Sequence, residues 1–182
     1  MSDIQTQSSP AKVALPFGIL FGILIIFIMF SLYFYDVNLF EDKTSAVLIS
    51  LLTNLVLPIL FIFLAVKQYK QKPNDGFLSI GQALKIGISL MIIAGIISGI
   101  YNILFNHFVP EYMEQSYEFL AATMKKDNPS LTTEQIESTI SIQKKFSSPW
   151  IVFPLGLVVM SFIGLIYSLI IGAIFKKERP IF

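Results

Sequence analysis

"FSSPWIVFPLGLVVMSFIGLIYSLIIGAIF", residues 146–175, runs for 30 positions without an Asp, Glu, Lys or Arg. A helix needs about 20 apolar residues to cross a hydrocarbon layer of roughly 30 Å, whereas apolar segments of about 10–14 belong to soluble cores. The stretch is a membrane span by that measure. Outward from it, three more stretches share the property: 13–35 and 44–66, each of 23 residues, and 86–110, of 25. Allowing for polar ends, the spans are expected at about 13–35, 46–66, 81–108 and 150–175. The fold class that follows is all-α: an integral membrane protein with four transmembrane helices.

Composition agrees. The chain is 54% hydrophobic with a mean hydropathy of +0.72. A net charge of +1 without a dense basic cluster gives no means of tracking phosphates, so no nucleic-acid partner is expected. The absence of cysteine removes disulfides, thiolate metal sites and cysteine nucleophiles. The first span is expected to be a retained anchor rather than a cleaved leader. A leader has an apolar core of about 7–15 residues before a small-residue cleavage site, and this longer run ends in the aromatic "SLYFYDVNLF", 31–40. Residues 1–12, polar and rich in Ser and Gln, are expected to be a disordered cytoplasmic terminus. Residues 13–182 then form a single four-span domain with an insert at 109–148 and no internal repeat.

The insert carries the signals of two helices. Pro110 suits a first helical position. Glu111, Glu114 and Glu118 come early and Lys125 and Lys126 late, as the helix dipole prefers. Met113, Tyr117, Leu120 and Met124 make one apolar stripe. "DNP", 127–129, ends this helix, and Thr132 with Gln135 forms a capping box for a second that runs to about Phe146. The insert is therefore expected to be a helical hairpin.

Lys and Arg fall unevenly about the spans. Lys12, Lys67, Lys70, Lys72, Lys85, Lys176, Lys177 and Arg179 share one side, eight of the 13; Lys43, Lys125, Lys126, Lys144 and Lys145 take the other. The positive-inside rule makes the first side cytoplasmic, with both termini, and the hairpin extracytoplasmic. Tyr33, Tyr35 and Trp150 are expected at outer interfaces and Tyr69 at an inner one.

The order of these features resembles the bacterial membrane family called domain of unknown function 4199, four-span proteins with a helical insert before the last span. The stretches that carry the resemblance are "FLSIGQALKIGI" (77–88), "SLTTEQIE" (130–137) and "GLIYSLIIGAIFKKERP" (164–180), and it extends along nearly the whole chain. It implies an inner-membrane protein of Gram-negative bacteria, so that the hairpin would face the periplasm. It assigns no catalytic residue.

Candidate sites are few. His107 has no second His or Cys to share a metal, and is expected to be an interfacial tip. Lys85 is expected to snorkel to the cytoplasmic headgroups. Ser50, Asn54 and Pro58 lie on one helical face, where Asn54 needs a partner near mid-bilayer; Tyr101 and Asn102 are the expected ones. Gly18 and Gly22, Gly95 and Gly99, and Gly164, Ser168 and Gly172 repeat small residues every fourth position, a pattern that lets helices approach closely. Glu111, Glu114 and Glu118 read as solvated dipole partners. No nucleophile–base pair, phosphate loop, cofactor motif or metal set is visible, so the expectation is a non-enzymatic structural or interaction module in the lipid bilayer. Its partner would be a second copy or a membrane or periplasmic protein met through 109–148. The alternative is a small oligomeric transporter or channel subunit.

Overall fold

The computed structural model describes residues 9–37 and 42–179. The first span, α1, covers Pro10–Phe34, with Ser9 as its N-cap accepting from the Lys12 amide. The helix therefore takes in residues 10–12 of the segment set apart as the terminus, because Ser9 and Pro10 form a cap and a preset first turn. Residues 1–8 and part of the turn after α1 lie outside the described residues. The second span is continuous over Lys43–Gln71 but has three parts: α2 (Lys43–Leu51), a π turn (Leu52–Val56) and α3 (Leu57–Gln71). The third, α4 (Ile80–Phe108), opens with a Ser79–Gln82 capping box. Two helices follow, α5 (Pro110–Asp127) and α6 (Thr133–Phe146), then the fourth span, α7 (Pro149–Phe175). The four spans are long and apolar enough to cross a membrane.

α4 is the centre, packed along its length on α1 and α7. Gly18 and Gly22 of α1 lie against Leu90, Ile93, Ala94 and Ile97, with numbers rising together, so α1 and α4 run parallel. Gly164 and Gly172 of α7 meet Gly87 and Ala83 in the opposite order, so α7 is antiparallel. α3 packs on α1, α7 and α4, with the rings of Phe21 and Phe61 stacked at 5.1 Å. Phe21, Ile62, Ala65, Leu90 and Met91 are fully buried there. Tyr69, expected as an interfacial ring, is instead only 2% exposed and belongs to this core. Tyr33, Tyr35 and Trp150 are exposed at the opposite ends of their helices, as an interface requires.

A clasp closes the end with the charge excess. Leu78 and Lys177 exchange both backbone hydrogen bonds, at 2.8 and 2.9 Å. Lys70 donates to the Phe175 carbonyl at 2.9 Å, satisfying an orphan acceptor at the end of α7. Arg179 pairs with Asp75 at 3.2 Å across an exposed rim. Gly76 turns the chain with φ +82°, a region that favours glycine.

The second span is interrupted by its π turn for a reason its sequence contains. Pro58 has no N–H, so the Asn54 carbonyl, four residues back, loses its helical partner. The Tyr167 hydroxyl of α7 donates to that carbonyl at 2.9 Å. The π turn spans this point, and beyond it α2 contributes no buried residue. Nearly all of its packing is with the adjoining turn.

At the other end α5 and α6 pack on each other. The Met113, Tyr117, Leu120 and Met124 stripe is half-buried, and Ile136 is buried opposite. The expected capping box is present: Thr132 accepts from the Gln135 amide at 3.3 Å, and Gln135 from the Thr132 amide at 2.9 Å. Lys125 ties the turn by donating to the Leu131 carbonyl at 2.8 Å.

Candidate functional site

Because α3 braces α1 and α7 in one half of the bundle and α2 does not in the other, a gap is left beneath the hairpin. It is a cavity of about 390 Å³ between α1, α4 and α7, in the size range of small-molecule sites. Met29 and Tyr33 come from α1, Gly95, Gly99 and Asn102 from α4, and Phe153, Gly156 and Met160 from α7. Tyr33, Tyr101, Phe105 and Tyr112 form its aromatic roof, with neighbouring ring centres 5.1–6.2 Å apart. Burial of Tyr112, at the start of α5, pushes its phenol upward from the ordinary range.

Polar groups in the lining are few and mostly spoken for. Ser98 donates back to the Ala94 carbonyl at 2.9 Å. Asn106 donates to the Asn102 side-chain oxygen at 3.1 Å. The Tyr101 hydroxyl differs: it is shielded and has no hydrogen-bond partner among the described residues. A second hollow of about 620 Å³ adjoins the cavity, sharing Leu32, Tyr33 and Tyr112 as walls. Its charged lining is Asp36, Glu111 and Glu118.

The structure sorts the sequence candidates. Gly164, Ser168 and Gly172 form the tightest seam; Gly172 meets Ala83, while Gly164 and Ser168 meet Gly87, which is not among the small residues singled out in the sequence. A Cβ at Gly164 would sit 2.7 Å from the Gly87 carbonyl oxygen. Gly87 falls in step with Met91, Gly95 and Gly99 every fourth residue, and that period was the available signal. Gly18 and Gly22 form the α1–α4 seam. Gly95 and Gly99 are covered by the side chains of Leu157, Met160 and Phe153 rather than by backbone. Asn54 joins neither Asn102 nor Tyr101; its amide donates within its own helix, to the Ser50 carbonyl at 3.1 Å. The interhelical bond comes from its carbonyl instead, which Pro58 set free. Lys85 and His107 are exposed, His107 edge-on to Phe108 at 5.2 Å. Glu111, Glu114 and Glu118 are exposed as well.

A family model described as "Protein of unknown function (DUF4199)" matches residues 16–177. The chain belongs to that family. The DUF4199 match takes in all the residues that build the clasp up to Lys177, both seams and the cavity. Two of the stretches that carry the resemblance, 77–88 and 164–180, meet in space through Leu78 with Lys177, Ala83 with Gly172 and Gly87 with Gly164. No match was found among curated proteins or among solved structures.

Proposed function

We propose that this DUF4199 protein is a non-enzymatic module of the bacterial inner membrane that displays the α5–α6 hairpin in the periplasm, with both termini cytoplasmic. The observation that carries the reading is the hairpin's self-sufficiency. It has its own cap, its own apolar contact and its own tied turn, while its charged faces stay exposed. Such an element presents a shaped, exposed surface, as recognition requires. A cleft lined by Tyr117, Leu120 and Gln143 lies between its arms, and on α6 Ile142 and Phe146 are 51% and 63% exposed. The Lys/Arg excess at the clasp supports the orientation.

A photo-crosslinking residue at Ile142, compared in native membranes with one at the lipid-facing Ile174, tests the role. The reading expects a discrete protein adduct from Ile142 and lipid adducts from Ile174. Lipid adducts from both would reject a recognition role for the hairpin.

A second reading, an oligomeric transporter or channel subunit, draws on the cavity lined by Gly95, Gly99 and Asn102. Towards the clasp that cavity meets the packed core of Phe21, Ile62, Leu90 and Met91. One chain offers a pocket and not a passage, so a transport role requires association. A monomeric mass for the native, lipid-embedded protein would remove it.

A further inference from the structure

We propose that the cavity and the acidic hollow above it form one binding site for a glycerophospholipid with a primary-amine headgroup, taken from the leaflet on the hairpin side. The acyl chain fills the cavity and the ammonium sits in the hollow. The assignment does not depend on which face of the membrane the hairpin occupies.

Three observations carry it. The lower cavity is chiefly apolar and borders the bilayer: Gly156 on its wall is exposed and Val152 is 42% exposed, so a chain can enter sideways. The shielded Tyr101 hydroxyl inside it has no partner among the described residues. A buried donor left unpaired in hydrocarbon is costly, and the acceptor it lacks matches a lipid ester carbonyl. Its depth agrees. The 29 residues of α4 span about 44 Å and overhang a 30 Å core by about 7 Å at each end, while Tyr101 lies about 10 Å below Phe108. That places the Tyr101 backbone about 3 Å inside the hydrocarbon boundary, with its side chain within reach of the ester level.

The third observation is charge. Asp36, Glu111 and Glu118 line the hollow with no Lys, Arg or His among its lining residues. Three carboxylates attract an ammonium, which can donate three hydrogen bonds, and repel a head of net negative charge. A choline head has the charge without the N–H donors. Tyr33 and Tyr112, shared by both spaces, stand where the lipid phosphate would cross between them.

The test is native mass spectrometry of the full-length protein in mild detergent, titrated in turn with phosphatidylethanolamine, phosphatidylcholine and phosphatidylglycerol of matched chains. The expected result is one retained lipid per chain, with the amine head preferred about tenfold over phosphatidylglycerol and retained above phosphatidylcholine. Gly156→Leu adds a side chain at the open wall of the cavity, at a position with no atom within 4 Å of its Cβ, and should abolish retention while leaving the protein folded. Glu111→Gln with Glu118→Gln should keep the lipid but level the headgroup preference. Retention unchanged in Gly156→Leu would overturn the site. Equal retention of phosphatidylethanolamine and phosphatidylglycerol by the unmodified protein would overturn the amine assignment.

Discussion

Gly164→Leu should loosen the bundle at its tightest point. The new Cβ would lie 2.7 Å from the Gly87 carbonyl oxygen and 3.0 Å from Met91 Cγ. Ordinary contact begins at about 3.4 Å, so α4 and α7 must separate by roughly 0.7 Å, and more for the rest of the leucine. The opposing atom is backbone and cannot rotate away. Overpacking of this kind costs about 1–3 kcal/mol or more, against a gain of about 1 kcal/mol for replacing glycine within a helix. Because the opposing atom is backbone, the cost lies at the upper end, and the net loss reaches about 2 kcal/mol, or about 4–8 °C in Tm for a chain of this size. Gly156→Leu, on the same helix, is the control. It makes the same residue change and has the same propensity gain, but nothing lies within 4 Å. Thermal unfolding of delipidated protein in one detergent, where a bound lipid adds nothing to either variant, should show a drop for Gly164→Leu and none for Gly156→Leu. Equal shifts would refute the argument that backbone proximity sets the cost. Gly95→Leu should fall between them, because it meets the movable ends of Leu157 and Met160.

Tyr167→Phe leaves the Asn54 carbonyl without its donor and should cost about 1–2 kcal/mol; in a Pro58→Ala background, which restores a helical N–H, the loss should at least halve, and an unchanged loss in that double-mutant cycle would break the link between Pro58 and the π turn. Thr132→Ala should weaken α6 by about 0.5–2 kcal/mol, seen as faster amide exchange across 133–140 with exchange in α4 unaltered. The Asp42 side chain accepts from the Ser45 hydroxyl and from the Ser45 and Thr44 amides, which holds its carboxyl below the ordinary range. Its cap on α2 is therefore fully present above about pH 4 and lost as pH falls through the lowered folded value. Amide exchange at Thr44 and Ser45 should accelerate in that acid window only, and pH-independent protection factors would contradict the cap.

What could be read in advance, and what could not, follows from range of interaction. Four charge-free runs, the Thr132 and Gln135 box and the proline at the start of α5 are local signals, and each appears at its position. The partners of those elements depend on distant chain segments. Asn54 looked like half of an amide pair because its nearest polar candidates in the next span were Tyr101 and Asn102. The carbonyl that actually crosses the interface is exposed by a proline four residues away, a backbone effect that composition does not display. Gly87 is hard to read as a seam residue because Met91 interrupts its stripe, although a methionine can bend around a close contact where a branched residue cannot. The cavity arises from the absence of α2 from one side of the bundle, and no residue pattern spells that out. Only Pro58, inside a charge-free run, hints at it.

The claim that the hairpin lies outside and the clasp inside is tested most directly by paired thiol labelling in whole cells, since the chain has no native cysteine. Ser130→Cys, at the hairpin turn, should react with a membrane-impermeant maleimide once the outer membrane is permeabilised. Lys72→Cys, in the turn between α3 and α4, should react only after the inner membrane is broken. Labelling of Lys72→Cys in intact spheroplasts, with Ser130→Cys protected, would contradict the account.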